Sequence, residues 1–287
     1  MAKIELDKYY TPPDLAKYCV DKTKEIIGNN NITEYIEPSA GSWVFLDYID
    51  NPYIAYDIQP EDERIIKQDY LTVDLEYKKG RCVIGNPPYG TKNNLTVAFY
   101  KKSIEIAECI VFILPISQYN NDIKLYEYDL LYSENLGKKQ YSDRLVHCCL
   151  NIYKKPDCGF NKRPNYNLQD VEIKESIINK NPKRQKIVNI EDFNYDIRIC
   201  GWGASMGKQV EYPNQYVKEF CIKINNIKLK DKITDIILNT KWADKYPMTA
   251  SPNLLQWQIY KYIKKLYQNY DNTYTIYSGY NINKYNM

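Results

Sequence analysis

Between residues 32 and 86 the chain repeats one device: a short strand-like run that stops at a polar residue. Residues 32–36 stop at Glu37, residues 53–56 at Asp57, a run from Ile65 at Asp69, and residues 81–85 at Asn86. Runs this short predict strands and not helices, with residues 81–85 read as a buried one. Helical spacing flanks them. It follows Thr11, Pro12, Pro13 and Asp14 as far as Ile27, with Thr11 as the expected cap, and it returns over residues 95–107. A strongly apolar run at 109–114 and a strand-like run at 145–153 come next. Strands and helices in this alternation predict an α/β fold: a doubly wound, mostly parallel, Rossmann-like sheet. In such sheets ligands bind at the carboxyl ends of strands, so Glu37, Asp57, Asp69 and Asn86 become one candidate site.

After residue 154 the pattern changes. Residues 155–159 read as a loop, and the stretch to about 190 is polar with little periodicity. Strands are expected at 196–202 and 220–227, and an amphipathic helix at 255–267. Charge changes with it. Residues 1–160 hold 19 basic and 24 acidic side chains, a balance of −5, whereas residues 161–287 hold 20 and 12, a balance of +8. The expected division is a catalytic domain at 1–158 and a basic target-recognition region at 159–287 that meets a polyanion.

Composition excludes several classes. No apolar run reaches the 18 or so residues a membrane helix needs, and residues 1–13 are polar, with no secretory signal visible. Eight cysteines without a C-x-x-C pair, and one histidine, His147, argue against a zinc site and for no metal at all. Reduced, mostly buried thiols and a cytoplasmic setting are the expectation.

The chemistry begins at Asn86, Pro87, Pro88 and Tyr89. An exocyclic amine on a base is a poor nucleophile because its lone pair is delocalised into the ring. Two acceptors aimed at its two N–H groups would turn that lone pair outward; the Asn86 side-chain oxygen and the Pro87 carbonyl can supply them. Two prolines stiffen the loop, and Tyr89 offers a face on which a flipped base can stack. Taken alone, the same four residues also describe a rigid turn with an asparagine cap.

The tetrapeptide resembles the catalytic motif of the S-adenosylmethionine (SAM)-dependent amino-methyltransferases, which act on adenine N6, cytosine N4 or a protein glutamine. Glu37, Pro38, Ser39, Ala40 and Gly41 resemble that family's first SAM-binding loop, with Glu37 toward the ammonium group. The family usually continues Gly-x-Gly-x-Phe; here the run is Gly41, Ser42, Trp43, Val44, Phe45. A tryptophan in the glycine's place could point away, reshape the pocket or block it. Asp57 is similar to the ribose-binding acid, with Ile58 expected against the adenine. Asp69 and Tyr70 match the third element, whose carboxylate accepts from the cofactor's adenine amine. Tyr10, Thr11 and Pro12 resemble the element over the methionine end.

This order of motifs is that of the gamma-type enzymes, whose recognition region follows the catalytic loop. The resemblance implies a DNA adenine-N6 methyltransferase that uses SAM, flips its target base and binds double-stranded DNA, as in restriction-modification or in phage or viral DNA protection. Lys183, Arg184, Lys186, Arg198 and Trp202 are the candidate nucleic-acid contacts, although a packed aromatic beside a solvated arginine is an equal reading of the last two. Two alternatives stay open: action on RNA or on cytosine N4, and a methyltransferase-like nucleic-acid-binding subunit without SAM activity. The second alternative is the one Trp43 favours, and a catalytic partner subunit is conceivable for it.

Overall fold

The computed structural model describes residues 10–141, 144–178, 193–248 and 252–270, the backbone alone at 144 and 268–270. The chain forms two compact units, one of Met1–Pro164 with Tyr246–Ala250, the other of Asn165–Lys245 with Ser251–Met287.

The first unit is built on a seven-stranded sheet. Its strands are β1 (Glu34–Glu37), β2 (Tyr53–Asp57), β3 (Ile66–Lys67), β4 (Lys78–Gly85), β5 (Ala107–Pro115), β6 (Asp129–Tyr141) and β7 (Arg144–Lys154), in the spatial order β3-β2-β1-β4-β5-β7-β6. The strands from β3 to β5 run parallel, and β7 is antiparallel to both β5 and β6. This is the expected α/β architecture, with a hairpin closing one edge.

Alternation along the central strands explains the two-sided core. In β5, Cys109, Val111 and Ile113 face one cluster while Ile110, Phe112 and Leu114 face the other. Helix α1 (Pro13–Thr23) covers the first face with Leu15, Ala16, Cys19 and Val20; α2 (Asn94–Ile106) covers the second with Phe99, Tyr100 and Ile104. The crossover from β1 to β2 contains no α-helix, only a single turn at Leu46–Tyr48. Parallel strands are usually joined through a helix that covers the sheet. Here Trp43, Phe45, Leu46 and Ile49 from the connection itself fill the α1 face.

Two sequence expectations need correction. Thr11 does not cap α1: the N-cap is Pro12, without a side-chain bond, and Pro13 supplies the first turn. Strand β6 has no counterpart among the expected elements. Register shifts between Leu130 and Tyr132 and between Asn135 and Gly137 move its side chains from face to face, which erases the period-two pattern.

In the second unit, β8 (Val171–Ile177), β9 (Ile197–Cys200) and β10 (Lys218–Ile224) form an antiparallel sheet in the order β8-β10-β9. Helices α3 (Lys230–Asn239), α4 (Trp242–Lys245) and α5 (Gln256–Tyr270) follow. Strand β8 falls in the stretch that shows no clear period in the sequence, and α3 likewise has no counterpart among the expected elements. Gly207, at φ 88°, lies where a Cβ would come within 2.3 Å of the Trp242 ring, so only glycine fits that turn.

Candidate active site at the strand reversal

The strand order reverses between β1 and β4, and in doubly wound sheets the crevice at such a reversal is the ligand site. Glu37 ends β1 and Asn86 follows β4 directly, so the topology brings them to this crevice from 49 positions apart in sequence. A small cleft of about 30 Å3 lies there. Seven of the expected residues line it: Tyr10, Thr11, Glu37, Ser39, Ala40, Gly41 and Asn86. Ser42, Val44 and Phe45 join them. These three were not singled out beforehand, although Phe45 closes the same Gly-x-x-x-Phe run.

Glu37 is the chemically telling residue. Its side chain is 1% exposed, and its Oε2 has no hydrogen-bond partner. Burial first, then the charges of Asp57 and Asp47, push its carboxyl well above the usual carboxylate range. A buried carboxyl with an unpartnered oxygen at the wall of a cleft is matched by a cationic ligand group.

The loop after β1 is pinned to the end of β2. The Gly41 N–H donates to Asp57 Oδ2 at 2.9 Å, the Gln59 N–H donates to Oδ1 at 2.7 Å, and the Ala40 N–H donates to the Tyr56 carbonyl at 3.0 Å. Asp57 thus organises the cofactor-loop candidate. Each of its oxygens spends one lone pair on backbone and keeps another for a ligand. Gly41 stands at φ 50°, and a Cβ on Gly85 would press to 3.3 Å from Pro38.

Trp43 takes the first of the three outcomes open to it: the side chain points away. Its backbone has φ 75°, the region glycine would adopt, and its side chain is 3% exposed in the α1-side core. The ring meets Tyr53 edge-on at 4.9 Å and lies under the Arg64 guanidinium at 4.0 Å. A positive φ costs a bulky residue about 1–3 kcal/mol. Burying roughly 150–250 Å2 of aromatic surface returns about 4–6 kcal/mol as an upper estimate. Burial therefore wins, and the tryptophan holds the turn that a glycine would otherwise make.

At the other wall, the Asn86 side-chain nitrogen donates to Thr11 Oγ1 at 3.2 Å, and the Tyr89 hydroxyl donates to Asn86 Oδ1 at 3.1 Å. The Ser39 hydroxyl donates to the Asn86 carbonyl at 3.4 Å, tying the two loops together. Pro87 is buried, and Pro88 and Tyr89 are half-buried. Over the cleft, the Tyr10 hydroxyl donates to Glu61, a residue that carries no signal in the sequence.

The remaining expectations separate. Asp69 caps the turn at Tyr70–Thr72, where Oδ1 accepts from the Leu71 N–H at 2.9 Å. Ile58 is exposed beside Asp57. Tyr70 is corrected: it is 1% exposed, stacks on Phe99 at 5.5 Å, and its hydroxyl shares a hydrogen bond with Ser103 at 2.9 Å. It belongs to the α2-side core, because the turn rotates it away from Asp69. Arg198 is corrected as well. It is 4% exposed and gives Nε and Nη2 to Glu219 Oε2 at 2.9 and 2.5 Å, so its guanidinium is spent inside the second unit. Trp202 is 47% exposed. Lys183, Arg184 and Lys186 lie outside the described residues. Among the described residues no helix is long and apolar enough to cross a membrane, and no group of three metal-ligating side chains occurs.

The sheet, with its antiparallel seventh strand, is a mixed, mostly parallel, Rossmann-like one. No family model and no curated protein matches the sequence. Several solved structures are similar in fold. A Pyrococcus horikoshii protein assigned as an RNA methyltransferase is 16% identical, with a TM-score of 0.43 over 54% of this chain and 90% of that one. A protein of Listeria monocytogenes assigned as a class I SAM-dependent methyltransferase is 14% identical, with a TM-score of 0.42 over 57% and 65%. The 23S rRNA methyltransferase ErmE is 12% identical, with a TM-score of 0.40 over 52% and 70%. The likeness is one of fold and says nothing about what this chain acts on.

Proposed function

We propose that the chain is a SAM-dependent amino-methyltransferase whose favoured target is the N6 amine of adenine in double-stranded DNA. One observation carries the reading: the sheet reversal sets the buried carboxyl of Glu37, whose Oε2 has no partner, and the side-chain amide of Asn86 on the walls of one cleft. A cofactor with a cationic amino-acid end satisfies the first, and a target amine is held by the second.

Glu37 takes the ammonium of SAM, and the small residues from Ser39 to Gly41 let its amino-acid part approach the backbone. Asp57 accepts from the ribose through its remaining lone pairs, with Ile58 against the adenine and Asp69 reaching the adenine amine through its second oxygen. When bound, SAM supplies an electrophilic methyl group. Asn86 Oδ1 and the Pro87 carbonyl accept the two N–H groups of the target amine and turn its lone pair toward that methyl. Pro87 and Pro88 keep both acceptors in place, while the Tyr89 ring stacks on the flipped base. Trp43, turned into the core, no longer motivates a reading without cofactor. The balance of +8 over residues 161–287 supports a nucleic-acid substrate over a protein one.

The test is methyl transfer from labelled SAM to AT-rich DNA, followed by digestion to nucleosides. N6-methyldeoxyadenosine is the expected product, and Asn86→Ala should abolish it while SAM affinity stays nearly intact. Label in cytosine or in RNA would replace the target. No calorimetric binding of SAM or S-adenosylhomocysteine to well-folded protein, with or without DNA, would overturn the reading in favour of a nucleic-acid-binding subunit.

A further inference from the structure

A carboxamide works at Asn86 in one orientation only. Its oxygen must face the incoming amine, because the NH2 end would set donors against donors. Something has to hold the nitrogen end. In the structure that end donates to Thr11 Oγ1 at 3.2 Å, and the oxygen end accepts from the Tyr89 hydroxyl at 3.1 Å.

These two partners are not equivalent. Tyr89 belongs to the same loop as Asn86, is half-buried, and sits on the oxygen that a target amine would claim. Thr11 is 7% exposed and comes from a segment 75 positions earlier in the sequence. It leads through Pro12 and Pro13 into α1, whose Leu15, Ala16, Cys19 and Val20 are embedded in the core. Two prolines and a buried helix leave Thr11 little freedom. Its hydroxyl is therefore a fixed post, whereas the Tyr89 hydroxyl is a plug that a ligand can replace.

We propose that Thr11 is a positioning residue for the Asn86 amide: it holds the nitrogen so that the oxygen points to the target amine. This rests on the amino-methyltransferase reading above and assigns Thr11 a role toward the target amine in place of one toward the methionine end of SAM. Thr11→Val keeps the shape and removes the acceptor; Thr11→Ser keeps the acceptor.

Two readouts on the full chain separate this inference from the reading it rests on. The first is the pair of Asn86 side-chain N–H resonances in 15N-labelled protein, identified by their loss in Asn86→Ala. Thr11→Val should shift both and speed their exchange with solvent, and Thr11→Ser should leave them near the wild-type positions. The second is methyl transfer: Thr11→Val should lower kcat about a hundredfold, the scale of loss for a misplaced reacting group. SAM affinity should change by less than about twofold, and Thr11→Ser should recover most of kcat. Unmoved resonances in Thr11→Val would overturn the inference. So would a fall in SAM affinity that accounts for the whole loss of activity, since Thr11 would then be a cofactor contact. If the wild-type chain transfers no methyl group, the functional reading fails, and the Asn86 resonances still decide whether Thr11 holds the amide.

Discussion

The Arg64 guanidinium lies 4.0 Å from the centre of the Trp43 ring, which also meets the exposed Tyr53 edge-on and otherwise sits in the α1-side core. Arg64 is itself held by a fork to Asp62, with Nε and Nη2 at 2.8 and 2.7 Å from its carboxylate oxygens. The residue that interrupts the glycine pattern of the loop is thus clamped away from the cleft. Trp43→Gly should destabilise the protein by about 3–5 kcal/mol, the usual cost of deleting a buried tryptophan, although glycine suits the backbone better. Urea denaturation measures the loss. SAM affinity should not rise; a gain in affinity would mean that the ring obstructs the cleft.

Glu37 makes stability and binding depend on pH in a definite sense. Its carboxyl is held above its unfolded value by burial and by Asp57 and Asp47, so the folded state keeps the proton longer than the unfolded one. Stability is greatest below the unfolded pKa and falls as pH rises from there toward the folded pKa. Glu37→Gln should remove that part of the slope. An ammonium bound beside Glu37 favours its ionised form, so SAM binding should release a proton. Calorimetry in buffers of different ionisation enthalpy reads this directly, and the release should vanish in Glu37→Gln along with most of the affinity.

Tyr89 should show two separable roles. Its hydroxyl occupies Asn86 Oδ1, so Tyr89→Phe removes a competitor of the target amine while keeping the ring. The KM for nucleic acid should fall with little change in kcat. Tyr89→Ala also loses the stacking face, which is worth about 1–3 kcal/mol per base, and KM should rise. Steady-state kinetics on both variants would discard the assignment if the two moved together.

Arg198 should behave as a structural residue. Its charge is paired with Glu219, which is fully buried and also accepts from the Asn214 and Tyr216 N–H groups at 3.2 and 2.7 Å. Arg198→Met leaves that carboxylate unpaired and should cost about 3–5 kcal/mol. The salt dependence of nucleic-acid binding by the still-folded variant should be unchanged, whereas a phosphate contact would lower the slope by about one.

The sequence alone determined the elements that are buried on both sides or end on a polar residue. Strands β1, β2, β4 and β5 were legible because runs such as residues 109–114 are short enough to favour strands over helices, and Glu37, Asp57 and Asn86 were legible because each closes one. Local pattern carried that much, since burial and strand ends leave their mark on neighbouring residues. Contacts across long separations left none. The bulges of β6 shuffle its faces, and whether Tyr70 follows Asp69 to the cleft or enters the core depends on Ser103 and Phe99. Thr11 reads as a helix cap until the sheet brings Asn86 to it. Trp43 leaves three outcomes open, pointing away, reshaping the pocket or blocking it, until a helix-free crossover provides a core for it to fill. In each case the deciding partner is distant in the chain, and only packing selects among conformations that are locally equivalent.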